Sequence, residues 1–414
     1  MALGVLFCLD MVAIRAHKEF LSVGLTLLLA LGLAGCSSSP LTSAEQQPQA
    51  QNSPELILRS GFEPGTSLFP VNANILGFQG KDLSQPPPND WTAAMADPNI
   101  GDIYVQLASP GTTADRKAEI AADPLDPTNS TLHFWLANAT EPDPLKGRVS
   151  TNIGENSGLT EAYFKVRLFL PADFGKVRNF SYLPDDGNWL TLMELWSNPV
   201  WTIPAPFPFR ITLYVIKSPD DKDLVFGVEA QSMDPGNWQT VWRLPNNSFL
   251  LPIGEWFDLE TYYRDGDATT GRFFLAATRA GHPKTVLFDV TNFTRHPSNP
   301  APTGLKWFNP MKLYASKPII DSVSSQGGVL QAYWDDFEFW KNLPLPGSVG
   351  GVAQRPDASS ADTAAAPAVS GDERNGVLYG IGGGTVAAVV ACSIAWYTYR
   401  RRIVAAHRRE FPPY

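Results

Sequence analysis

Apolar and polar residues alternate with a period of two through most of the middle of this 414-residue chain. β-Branched and aromatic residues fill the alternating positions, and Gly, Pro, Asn and Asp bound each run, the pattern of half-buried strands. Strands are predicted at 56–62, 131–136, 148–153, 162–170, 189–196, 209–216 and 224–231. Six more are predicted at 238–243, 256–264, 272–278, 285–289, 311–315 and 330–340. Only 114–122, beginning Ala114-Asp115-Arg116-Lys117-Ala118-Glu119-Ile120, has the composition of a short helix. The Pro-, Asn- and Gly-rich stretch 71–102 reads as a long wrapping loop. Thirteen strands with almost no helical periodicity predict an all-β, two-sheet antiparallel sandwich over 55–344. The 36 prolines agree, since they belong in connections and at sheet edges.

Alternation also sorts the polar positions. Arg210, Thr212 and Tyr214 share one strand face, opposite Ile211, Leu213 and Val215. The same rule pairs Glu194 with Trp196, Glu229 with Gln231, Tyr262 with Arg264, and Lys312 with Tyr314. Gathered on one sheet, these residues make a groove of aromatic, cationic and amide groups. Sugars suit such a groove, because their C–H faces stack on rings while their hydroxyls take hydrogen bonds. The plainer reading of the same residues is a solvated outer face.

The two ends carry different patterns. Arg15, His17 and Lys18 precede an uncharged run from Phe20 to Leu33, which closes on Leu33-Ala34-Gly35-Cys36. Basic residues, a short apolar core and small residues after it make a secretory signal over 1–36, and a start at Met11 gives it a more ordinary length. A plain cleaved signal or an uncleaved anchor is the alternative. Residues 376–399 hold no charge and are long enough to cross a bilayer of ~30 Å as one helix. Arg400, Arg401 and Arg402 follow in the tail 400–414, which marks that flank as cytoplasmic and the preceding domain as outward-facing. Low-complexity spacers at 37–54 and 345–375 separate both ends from the sandwich.

Charge and cysteine use narrow the functional classes. The net charge is −9; residues 1–36 sum to zero and the tail to +4, which leaves −13 between them. Such an acidic domain argues against a nucleic-acid partner. Three cysteines, Cys8, Cys36 and Cys392, all lie outside the sandwich, so the domain relies on its core and not on disulfides. His133 falls within a strand and His282 and His296 in Pro-flanked loops, so the histidines do not converge on one site.

Several stretches, in order along the chain, resemble bacterial jelly-roll proteins of the concanavalin A-like group, particularly those related to polysaccharide lyases. Ser60-Gly61-Phe62-Glu63-Pro64-Gly65-Thr66 resembles their first strand and turn, and Tyr333-Trp334-Asp335-Asp336-Phe337-Glu338-Phe339-Trp340 their last strand. Gly147-Arg148-Val149-Ser150-Thr151-Asn152 resembles the inner strand on which alginate-type lyases carry an arginine. Met311-Lys312-Leu313-Tyr314 resembles the strand that bears a lysine and a tyrosine in heparin- and alginate-lyase relatives. The chain departs from the pattern in two places. Ser150 stands where those lyases follow the arginine with a glutamate, and Leu192-Met193-Glu194-Leu195-Trp196 lacks their Gln-x-His pair. The closely spaced carboxylate run of glycosidases with this fold is also missing. Leu33-Ala34-Gly35-Cys36 looks like the lipobox of bacterial lipoproteins, which makes Cys36 the lipidated residue.

The resemblance implies a carbohydrate-active protein of the bacterial cell envelope, tethered to the membrane, that binds a polysaccharide or cleaves a uronate-containing one by β-elimination. In a lyase, Arg148 or Arg210 neutralises the uronate carboxylate, and Tyr314 or Tyr262 acts as acid, or as base beside Lys312. Arg148, Glu194, Arg210, Lys312 and Tyr314 are thus the candidate catalytic set; Trp196, Tyr214, Tyr262 and Arg264 are candidates for sugar binding. Relatives hold a structural calcium where first and last strands meet, which makes Glu63, Asp335 and Asp336 candidate ligands. The remaining alternative is a non-catalytic structural or adhesive envelope protein.

Overall fold

Each strand sends its apolar set to one side, and those sets meet between two sheets. The computed structural model describes residues 54–97, 100–142, 145–180, 188–197, 207–220, 222–234, 237–299 and 302–343. The signal with Cys36, the distal spacer, the candidate membrane span and the basic tail lie outside these residues.

In chain order the first strands are β1 (Glu55–Ser60), β2 (Thr66–Asn72), β3 (Ile75–Gly80), β4 (Asp102–Leu107), β5 (Arg116–Ala122) and β6 (Ser130–Leu136). Next come β7 (Lys146–Leu159), β8 (Glu161–Phe169), β9 (Leu190–Trp196), β10 (Phe209–Lys217), β11 (Leu224–Asp234) and β12 (Asn237–Leu250). The last are β13 (Trp256–Arg264), β14 (Arg272–Arg279), β15 (Thr285–Thr291), β16 (Leu305–Asn309), β17 (Lys312–Ser316) and β18 (Leu330–Lys341). Two short α-helices, α1 (Trp91–Ala96) and α2 (Lys317–Ser325), and a 3-10 helix at Ala172–Asn179 complete the described elements. One sheet runs β15-β14-β13-β8-β18-β6-β5, with β1 attached to β18. The larger runs β12-β11-β10-β9-β16-β7-β4-β3-β2, with β17 also paired to β7 and β9. The result is the expected antiparallel sandwich of jelly-roll type.

The core follows from alternation. Ala162, Phe164, Val166 and Leu168 of β8 face Phe209, Ile211, Leu213 and Val215 of β10 within one buried cluster, joined by Trp334, Phe337 and Phe339 of β18. A fully buried side chain of this size stabilises by about 1.5–3 kcal/mol, so a domain without cysteines can stand on this core.

Two expectations fail. Residues 114–122 are not a helix: β5 covers Arg116–Ala122 and pairs antiparallel with β6. Arg116 and Ala118 turn inward there while Lys117 and Glu119 turn out, a period of two that the Ala- and charge-rich composition hid. The stretch 71–102 holds the end of β2, all of β3 and α1, as well as loop. Asp90 caps α1 by accepting from the Thr92 and Ala93 N–H groups. Among the described residues, no helix is long and apolar enough to cross a membrane.

Candidate functional site

Seen from the side away from the core, the larger sheet is a lattice of polar and aromatic side chains. Cross-strand register sets Arg210 of β10 beside Trp196 of β9, and Trp196 beside Trp307 of β16. The next row along the strands holds Thr212, Glu194 and Asn309. On the other flank, Asn152 of β7 pairs with Tyr104 of β4, and Ser150 pairs with both Gln106 and Lys312. Tyr314 of β17 stands between Arg148 and Thr191.

Two irregularities make this gathering work. In the β9–β10 ladder the pairing steps from Leu213↔Met193 to Tyr214↔Thr191, so β9 carries an extra residue at Leu192. Leu192 and Met193 both enter the core, while Thr191, Glu194 and Trp196 stay on the outer face. Between β16 and β17 the residues Pro310 and Met311 shift the parity, so that Trp307 and Asn309 share a face with Lys312 and Tyr314. Bulges of this kind re-aim side chains beside binding sites.

These residues line a cavity of about 470 Å³. At one end are Glu141, Lys146, Arg148 and Tyr314; at the other, Trp196, Arg210 and Trp307, with Gln106, Asn152, Glu194, Asn309 and Lys312 between. Glu194 lies at the centre, buried, and accepts from Lys312 Nζ at 2.5 Å and from Trp196 Nε1 at 3.1 Å. An Arg210 guanidinium nitrogen lies 3.8 Å from the same carboxylate. Arg210 also donates from Nε to Gln231 and sits over the Trp196 ring, 5.5 Å from its centroid. Arg148 reaches Glu141 at 3.6 Å, and Lys146 reaches it at 3.8 Å.

The charges bias one another. Burial pushes the Glu194 carboxyl up, but Lys312 and Arg210 outweigh it and hold the carboxyl below its ordinary value. Burial, with Arg148 and Arg210 nearby, pulls Lys312 down to about 8 against the opposing attraction of Glu194. Burial, then Glu194, raises Tyr314, so its phenol keeps its proton across the neutral range. That removes Tyr314 as a ready base and leaves it as a donor.

Arg148, Glu194, Arg210, Lys312, Tyr314 and Trp196 all line this one cavity. Tyr214 shares their face but lies against Gly227 and outside the cavity lining. Tyr262 and Arg264 do not belong to the site. They sit on β13 of the opposite sheet, where the Tyr262 hydroxyl donates to Glu161 and Arg264 donates to the Thr270 carbonyl. Strand alternation pairs residues within a strand but does not say which sheet the strand joins. Gln106, Glu141, Lys146, Asn152, Trp307 and Asn309 escaped the sequence reading. Trp307 and Asn309 alternate within 305–309, which was the available signal.

Asp335 and Asp336 lie beside the end of β1, where a Cβ on Gly61 would sit 3.4 and 3.5 Å from their carboxylates, and Glu63 follows that end in the chain. The Ser130 N–H donates to Glu63, Asn129 donates to Asp335, and Arg167 reaches Asp336 at 3.4 Å. Burial and the neighbouring Asp336 push Asp335 up to about 7. Among the described residues, no three His, Cys, Asp or Glu side chains are grouped to hold a metal. The carboxylates here are satisfied by amide and guanidinium groups instead.

Fold and site define an all-β jelly-roll sandwich with a charged, aromatic-lined trough on one sheet. No protein-family profile and no curated protein sequence matches the chain. Among solved structures it is similar to the endo-β-1,4-glucuronan lyase of the fungus Trichoderma reesei, at 10% identity and TM-score 0.36, over 56% of this chain and 89% of that one. An alginate lyase from Aplysia kurodai matches at 10% identity and TM-score 0.34, over 57% and 86%. The exoplasmic/lumenal domain of VIP36, in a Ca2+- and mannose-bound form, matches at 9% identity and TM-score 0.31, over 57% and 85%.

Proposed function

We propose that the trough binds a uronate-containing polysaccharide and cleaves it by β-elimination. The observation that carries this reading is the lining itself. Lys146, Arg148, Arg210 and Lys312 face Glu141 and Glu194, an excess of two positive charges in a cavity of a chain whose net charge is −9. A polyanion is drawn to that local field and not to the protein as a whole. Aromatic rings and side-chain amides in the same lining suit sugar faces and hydroxyls.

The chemistry divides among three groups. Arg148 pairs with the uronate carboxylate and stabilises the charge that develops when the adjacent carbon loses its proton. Lys312, with its value near 8, takes that proton as the neutral amine. The Tyr314 phenol gives its proton to the β-oxygen as the C–O bond breaks and a C=C bond forms. Glu194 holds the amine in place, at 2.5 Å.

Incubation of the folded domain with a panel of polyuronates, followed by absorbance of the new C=C bond, tests the reaction. Product with the wild type that Tyr314→Phe and Arg148→Ala abolish supports elimination. Retention on the polymer without product supports a second reading, a binding module, which the close Lys312–Glu194 pair favours by keeping both charges engaged. Neither binding nor product leaves the structural envelope role. In either carbohydrate reading, the domain works outside the cell, held by lipid on Cys36 and by the 376–399 span.

A further inference from the structure

Trp307 is fixed in a way that a space-filling tryptophan does not need. Its indole N–H donates to Asn152 Oδ1 at 2.8 Å. Asn152 is 2% exposed and accepts a second bond, from Asn309 Nδ2 at 2.6 Å. Its own amide donates to the Ser150 carbonyl at 3.0 Å. Asn152 thus serves the ring, and its acceptor is already occupied by two donors. Beneath the indole there is no side chain: a Cβ on Gly154 would lie 3.9 Å from three of its ring atoms at once. One ring face therefore rests on the sheet backbone, and Trp307 is only half-buried and lines the cavity.

We infer that Trp307 is the stacking platform of a sugar subsite separate from the reacting end of the trough. This deepens the polysaccharide reading and rests on it. In β9, Trp196, the cross-strand neighbour of Trp307, is five residues from Thr191, the neighbour of Tyr314. One of those residues is the bulged Leu192, so the span is four strand steps, as Arg210 to Tyr214 is along β10; at about 3.4 Å per step this is ~14 Å, more than one sugar ring. The ligand is then a chain of pyranosides, and a free uronic acid cannot engage both ends. A flat indole presents its π-face to the C–H face of a ring and is indifferent to the carboxylate. Trp307 therefore sets affinity for the chain while Arg148 and Tyr314 set turnover.

The test uses polyglucuronate and alginate against the corresponding free uronic acids, with the wild type, Trp307→Phe and Trp307→Ala, each checked for an unchanged melting temperature. The expected result is polymer binding about tenfold weaker in Trp307→Ala and largely restored in Trp307→Phe. Where product forms, the change falls on KM and not on kcat. The wild type should bind polymer far better than monomer. Asn152→Ala, which unlocks the ring, should weaken binding less than Trp307→Ala. Polymer bound equally by Trp307→Ala and the wild type overturns the platform alone. A wild type that binds no polyuronate overturns the platform and the polysaccharide reading together.

Discussion

The outward faces of the two sheets hold nearly the same residue types and put them to different use. On the smaller sheet, Tyr163 donates to Glu260, Lys284 reaches the same carboxylate at 2.6 Å, and Tyr262 donates to Glu161. Arg167 lies over Trp256, and Lys165 reaches Asp258 at 3.1 Å. His133 stacks on Tyr333 and lies between Glu119 and Gln331. Cross-strand partners there satisfy one another and close the surface. On the larger sheet one buried carboxylate, Glu194, serves Lys312, Trp196 and Arg210 at once, and the surrounding groups border a cavity. Residue type makes neither surface functional. Carboxylates are shared on both faces, Glu260 by Tyr163 and Lys284 as Glu194 is by its three donors; the difference is that Glu194 and its donors border open volume.

The sharpest way to break that comparison is to remove a proton donor from each face. Tyr314→Phe should lower elimination about 10²–10⁴-fold with polymer binding retained, read from C=C absorbance and from binding. Tyr262→Phe should leave both unchanged. Equal losses from the two would dissolve the distinction.

Stability should separate the faces next. Glu194→Ala strands the buried Lys312 ammonium and should cost about 3–5 kcal/mol in urea unfolding. Tyr262→Phe removes one partly buried hydrogen bond and should cost about 1 kcal/mol.

Acidity sharpens the picture within the trough. With Lys312 at about 8, the neutral amine gains population as pH rises through that value, so the elimination rate should climb from pH 6 to pH 9. Lys312→Arg, charged throughout, should abolish the climb along with most of the rate.

A smaller effect belongs to the β1–β18 junction. Asp335, at about 7 when folded, lies above its unfolded value near 4. The fold therefore prefers the protonated acid. That contribution is complete below about pH 4 and is lost as pH rises through about 7. Asp335→Asn should raise the melting temperature by a few degrees at pH 8 and change it little at pH 4. If millimolar calcium raises the wild-type melting temperature at pH 8, and fails to do so in Asp335→Asn, the junction binds the ion; no shift in either protein removes that role.

How much was legible varied with the kind of residue. Long strands such as Ala162–Leu170 and Phe209–Ile216 alternate strongly, and each coincides closely with a strand of the sandwich. Lys312 and Tyr314 were legible as a pair for the same reason. Trp307 and Asn309 were not, because β16 is five residues long and follows a Pro- and Gly-rich stretch. Arg116–Ala122 misled, since a strand edge rich in Ala, Arg, Lys and Glu looks like a helix until β6 supplies the hydrogen bonds. Tyr262 and Arg264 misled differently. Their pairing on one face was right, but the face belongs to the other sheet.

The sequence by itself determined the fold class, because a period of two over so many segments leaves only packed sheets as a way to bury the apolar half of each. It also determined which side chains share a face within each unbroken strand, since the pleat admits no other arrangement. Only the tertiary structure decided which of those faces meet. That choice depends on ladders joining residues more than a hundred positions apart, such as Lys312 with Ser150, and on the extra residue in β9 and the parity shift before β17. A bulge costs one residue of register and turns every later side chain to the opposite face, so no local pattern could have announced the trough.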